Sequence, residues 1–142
     1  MNLEKVREQL LKLGEKVALT VDEETSDKLV LHTELVAKSY FKDTVYFRIV
    51  VFKRDTLHVF FTFDEIEKTY DNLFLINKFN SDNPWFRAYI VNLNDKDFLE
   101  LHYVTFSLET EKQVTDTIGY LLNDLLSETT LKYLNPILNN KK

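Results

Sequence analysis

The sequence predicts an α+β domain: an antiparallel sheet of about five strands with N-terminal, middle and C-terminal helices. Three observations lead there. β-branched and aromatic runs at 44–52 and 56–63, and again at 85–92 and 98–106, are joined in pairs by short polar links and read as hairpins. Apolar residues at helical spacing precede, separate and follow those hairpins. A chain of 142 residues without a repeat, low-complexity tract or long linker has the length of one domain, so 1–142 is read as a single unit.

The first helix is carried by Leu3, Val6, Leu10, Leu13 and Val17, one stripe at three- and four-residue steps, with Asn2 as its cap and Gly14 near its end. The acidic stretch 22–27 reads as a solvated loop; it lacks the ligand spacing and turn glycine of a calcium-binding loop. Residues 29–36 read as a strand, and 44–52 and 56–63 as a hairpin around Lys53-Arg54-Asp55. Asp64 and Glu67 have capping-box spacing, opening a helix whose stripe is Ile66, Tyr70, Leu73, Phe74 and Asn77. That spacing turns Asn77 toward the sheet, and Asn80 toward the helix end before Pro84. The second hairpin turns through 93–97. Thr110 and Gln113 form another capping box, opening a helix with Val114, Ile118, Leu121, Leu122 and Leu125 on its buried side. A short helix over 127–134 is cut by Pro136.

Alternation sorts the strand residues onto two faces. One holds Phe47, Ile49, Val51, Leu57, Val59, Phe61, Phe86, Ala88, Ile90, Leu99 and Leu101, the natural core. The other holds Tyr46, Arg48, Val50, His58, Phe60, Arg87, Tyr89, Glu100, His102 and Val104. Aromatics mixed with arginine are the composition of protein interfaces. Three readings of this face compete: a partner or dimer surface, coverage by the chain's own N-terminal helix or termini, and a small-molecule pocket; on the first, Tyr46, Arg48, Phe60, Arg87, Tyr89 and His102 are the candidate binding residues.

The element order, with Leu75-Ile76-Asn77-Lys78-Phe79-Asn80 leading through Pro84 to Trp85-Phe86-Arg87-Ala88-Tyr89-Ile90, resembles the YbjN-like family of the type III secretion chaperone-like fold. The resemblance covers about residues 45–125, and the Asn77/Asn80 pair is its sharpest element. It implies a helix–sheet–helix domain, frequently dimeric, that binds proteins and has no established reaction; members are often labelled sensory-transduction regulators. The chain departs from the family pattern in its scarcity of glycine, with none in the turn after Asn92.

Several function classes are argued against. Without cysteine there is no disulfide, thiolate nucleophile or Cys-ligated metal. A net charge of −5 and the lack of a basic stripe weigh against nucleic acid, although aromatics beside arginine are able to stack single-stranded RNA. The start is charged and amphipathic rather than a secretory signal, and apolar runs fall far short of the roughly 20 residues that span a bilayer. A cytoplasmic location without membrane contact is expected. His32, His58 and His102 lack metal-ligand spacing and read as imidazoles on a half-exposed sheet surface, so neither metal nor cofactor is expected. No nucleophile elbow occurs, and Asp64, Glu65 and Glu67 are explained by helix capping. The expectation is a non-enzymatic protein-binding adaptor or chaperone-like regulator, homodimeric, with a partner of unknown identity. The alternative is a small-ligand sensor or hydrolase using a pocket between the sheet and the 64–80 helix.

Overall fold

The computed structural model describes residues 1–13, 18–36, 44–83, 85–125, 134 and 136–138. Helix α1 (Leu3–Lys12) starts where expected: the Asn2 side chain accepts a hydrogen bond from the Lys5 N–H at 3.2 Å. Leu3, Val6 and Leu10 are buried, as their spacing requires. Gly14 and Val17 lie outside the described residues.

Strand β1 (Thr20–Glu24) occupies part of the stretch expected to be loop and pairs antiparallel with β2 (Lys28–Val36). The sequence conceals it because it is mostly solvent-exposed and so has no apolar alternation. Backbone pairing and charge hold it instead. Glu24 meets Arg7 at 2.7 Å, Glu23 meets Lys28 at 3.1 Å and Asp22 meets His32 at 2.7 Å.

Strands β3 (Thr44–Phe52) and β4 (Leu57–Glu65) form the first predicted hairpin. The expected capping box at Asp64 and Glu67 does not form, because β4 runs on to Glu65. Helix α2 (Tyr70–Asp82) is capped by Thr69, whose side chain accepts from the Asn72 N–H at 3.2 Å. Strands β5 (Arg87–Leu93) and β6 (Lys96–Thr105) form the second hairpin. Its turn is Asn94-Asp95 alone, with φ of 53° and 64°, shorter than the expected 93–97. These residue types tolerate the left-handed region that a two-residue turn demands, so glycine is dispensable here.

Helix α3 (Glu111–Leu125) opens on the predicted capping box. The Thr110 N–H donates to Gln113 Oε1 at 3.1 Å, and the Gln113 N–H donates to Thr110 Oγ1 at 3.3 Å. Val114, Ile118 and Leu121 are buried, whereas the side chains of Leu122 and Leu125 lie outside the described residues. The short helix expected over 127–134 also falls there, Leu134 excepted. Leu134 and residues 136–138 are helical; whether Pro136 cuts the expected helix turns on residues outside the described ones.

The fold class is α+β, with a sheet of six strands rather than about five, in the order β1-β2-β3-β4-β6-β5 and antiparallel throughout. Buried residues of all three helices, α1, α2 and α3, join one core with Leu29, Leu31, Phe47, Ile49, Val59, Phe61, Leu99 and Leu101. The helices therefore share one face of the sheet. Among the described residues, no helix packs on the other.

Candidate functional site

The uncovered face is built by register. Antiparallel pairing places His32 opposite Arg48, Arg48 opposite Phe60, Phe60 opposite His102 and His102 opposite Arg87. This single lateral row crosses five of the six strands, from β2 to β5. A second row beside it runs Glu34, Tyr46, Thr62, Glu100 and Tyr89. All six candidate binding residues, Tyr46, Arg48, Phe60, Arg87, Tyr89 and His102, thus fall in two adjacent rows of one face. Arg48, Arg87 and Tyr46 (40% exposed) are open to solvent; Phe60, Tyr89 and His102 are half-buried.

The side chains touch across the strands. The Arg48 guanidinium carbon lies 4.5 Å from the Phe60 ring centre, a cation–π contact. Phe60 stacks on His102 at 4.5 Å with planes 3° apart, and the His58 ring lies parallel to His102, side by side with it, with centres 5.2 Å and planes 4° apart. His32 stacks on Tyr46 at 5.4 Å while its Nδ1 meets Asp22 at 2.7 Å.

Charge is distributed unevenly. Glu100, only 9% exposed, accepts from Thr62 Oγ1 at 3.1 Å and from the Tyr89 hydroxyl. Burial, followed by this carboxylate, pushes the Tyr89 hydroxyl well above the usual tyrosine range, so it remains a donor. Burial lowers His58, and burial followed by the neighbouring His58 lowers His102, which favours neutral imidazoles at pH 7. His58 Nδ1 lies 3.0 Å from His102 Nε2, so one ring donates a hydrogen bond to the other. Sequence alone does not predict this contact, because the two histidines are 44 residues apart and meet diagonally; only the strand register reveals it.

The asparagine pair is placed differently from the sequence expectation. Asn77 does not point toward the sheet: it is exposed, and the inward face of α2 is Asn72, Ile76 and Phe79. The helix starts at Tyr70 rather than near Asp64, so the stripe Tyr70, Leu73, Phe74 and Asn77 faces outward, with Tyr70 92% and Phe74 69% exposed. Asn80 does more than end the helix. Its Oδ1 accepts from the Ala88 N–H at 2.6 Å and its Nδ2 donates to the Ala88 carbonyl at 2.9 Å. An N–H so engaged is not bonded to β6, so these groups lie on the outer edge of β5. The Asn80 amide takes the place of a neighbouring strand there.

A depression of about 270 Å³ lies at the start of α2, lined by Glu65, Ile66, Glu67, Lys68, Thr69, Asp95, Lys96 and Asp97. It is small beside the roughly 300–1,000 Å³ of typical ligand sites, and its walls are mainly charged. Among the described residues, no group of three or more His, Cys, Asp or Glu is placed to hold a metal ion, and no helix is long and apolar enough to cross a membrane. Comparisons of the chain with protein-family models, curated proteins and solved structures return no match.

Proposed function

We propose that the chain is a non-enzymatic adaptor or chaperone-like regulator that binds another polypeptide through the outer face of its sheet. The carrying observation is the row His32, Arg48, Phe60, His102 and Arg87, which crosses five strands with no helix over it among the described residues. Aromatic and arginine side chains supply most of the energy of protein interfaces, and lateral stacking holds these ones in place before a partner arrives. Tyr46 and Phe60 would contribute apolar burial, Arg48 and Arg87 orientation, and Tyr89 and His102 the half-buried centre.

The sheet edges are poorer candidates. The β1 edge carries Asp22, Glu23 and Glu24 and an irregular register between Val21 and Glu23, both of which discourage strand addition. At Ala88 the β5 edge is already filled by Asn80. A face-binding mode is therefore favoured over β-augmentation. The YbjN-like kinship, a homodimer and a cytoplasmic setting belong to the same proposal; the first of these draws on the shared order of helices and strands.

Reversing charge at both ends of the row tests it. The Arg48→Glu/Arg87→Glu variant should lose its self-association in light scattering and its partner in affinity capture from native extract. Its unfolding midpoint should stay close to that of the parent chain, since both residues are exposed. An unchanged mass together with an unchanged set of captured proteins overturns the proposal.

A further inference from the structure

We infer that His58 and His102 form a two-imidazole clamp for a divalent transition-metal ion of the copper(II) or nickel(II) class. The inference rests on where the sheet places two ring nitrogens. β4 is paired on both sides, by β3 and β6, and β6 by β4 and β5, so the backbones that carry the histidines are fixed by pairing at both edges. His58 faces Val104 and His102 faces Phe60, which sets the imidazoles diagonally across one strand pair. Their nearest nitrogens, Nδ1 of His58 and Nε2 of His102, are 3.0 Å apart.

The preference among metals follows from the donors: for imidazole sites, affinity among divalent first-row ions rises to copper(II) and falls again at zinc. Binding rotates each ring so that both lone pairs aim at one point above the sheet. It replaces the N–H···N bond, with the proton of the donating ring moving to that ring's other nitrogen by exchange with solvent. Both rings are half-buried, leaving one side open for water to complete the coordination. Phe60 stacked on His102 limits the swing of that ring, and Phe52, edge-on to His58 at 5.8 Å, limits the other.

The site lies in the proposed docking face, but its test uses the isolated chain and so is independent of whether a partner binds. Tag-free protein would be titrated calorimetrically with CuCl2, NiCl2 and ZnCl2, and copper(II) loading followed by electron paramagnetic resonance. One ion per chain is expected, with copper tighter than zinc and a spectrum showing two imidazole nitrogens. His58→Gln and His102→Gln should each weaken copper at least tenfold, and His102→Phe, which keeps the ring stack on Phe60, should do the same. His32→Gln should change nothing, because its imidazole belongs to Asp22. Copper binding that survives His58→Gln/His102→Gln, or that disappears in His32→Gln, overturns the inference. So does parent protein that binds no tighter than the double variant.

Discussion

Phe60 and Phe61 are adjacent in sequence and opposite in fate. Phe61 is fully buried, stacks on Phe47 at 4.9 Å and meets Phe86 edge-on at 5.8 Å. Phe60 points the other way, between an arginine and a histidine. One strand therefore carries two chemistries, and the same ring type has a different task on each side. On the inner face a phenyl ring contributes mainly by leaving water and filling space. On the outer face it contributes by holding its lateral neighbours, which remain within reach of solvent and of anything that docks.

That contrast is broken or sharpened first by truncating each ring. Phe61→Ala should cost about 3–5 kcal/mol, the range for a large aromatic removed from a packed core. Phe60→Ala should cost only about 1–2 kcal/mol, from a stacked pair and a cation–π contact over a half-exposed site. Urea unfolding midpoints measure both. Equal losses would mean that the outer face is as much a core as the inner one, and the docking proposal would lose its basis.

The inner face was legible because period-two alternation alone places Phe47, Ile49, Val59, Phe61, Leu99 and Leu101 together, and all are buried. The membership of the outer face was legible for the same reason. Its contacts were not, since the His58–His102 pair and the five-strand row follow from register between strands distant in sequence. Strand β1 is not legible in the sequence because charge and backbone pairing, rather than apolar burial, hold it in place. The inward face of α2 is not legible for a plain reason. Acidic capping spacing at 64 and 67 predicts an early start and makes the aromatic stripe Tyr70/Phe74 core, although it lies outside. Periodicity locates a stripe but does not say which side of the helix meets the sheet when both sides carry apolar residues.

Asn80 ties α2 to the edge strand β5 and gives the next largest effect. Ala88, 3% exposed, has both of its edge-facing backbone groups bound to that one amide. Asn80→Ala should therefore cost about 1–3 kcal/mol, the range for leaving buried polar backbone groups without partners. Amide hydrogen exchange at Ala88 should accelerate far more than at Leu99 or Leu101, whose strand pairs on both sides. Protection at Ala88 that survives the substitution would show that another group closes this edge. The edge would then rank below the face for a reason other than the asparagine.

The smallest expected effect is the most specific to the outer face. Arg48 stands over Phe60 with its guanidinium carbon 4.5 Å from the ring centre, and no ion pair to it is found among the described residues. Arg48→Lys keeps the charge but loses the flat group that lies against an aromatic face. At an exposed position such a contact is worth about 0.5–1 kcal/mol, so thermal unfolding should shift by a few degrees at most. Partner binding should fall further than stability does, because a flexible ammonium has to be ordered on docking while a guanidinium already stacked on Phe60 does not. If stability and binding fell together, Arg48 would be acting as a structural clamp on the ring. If binding alone fell, the guanidinium would be part of the surface that a partner reads.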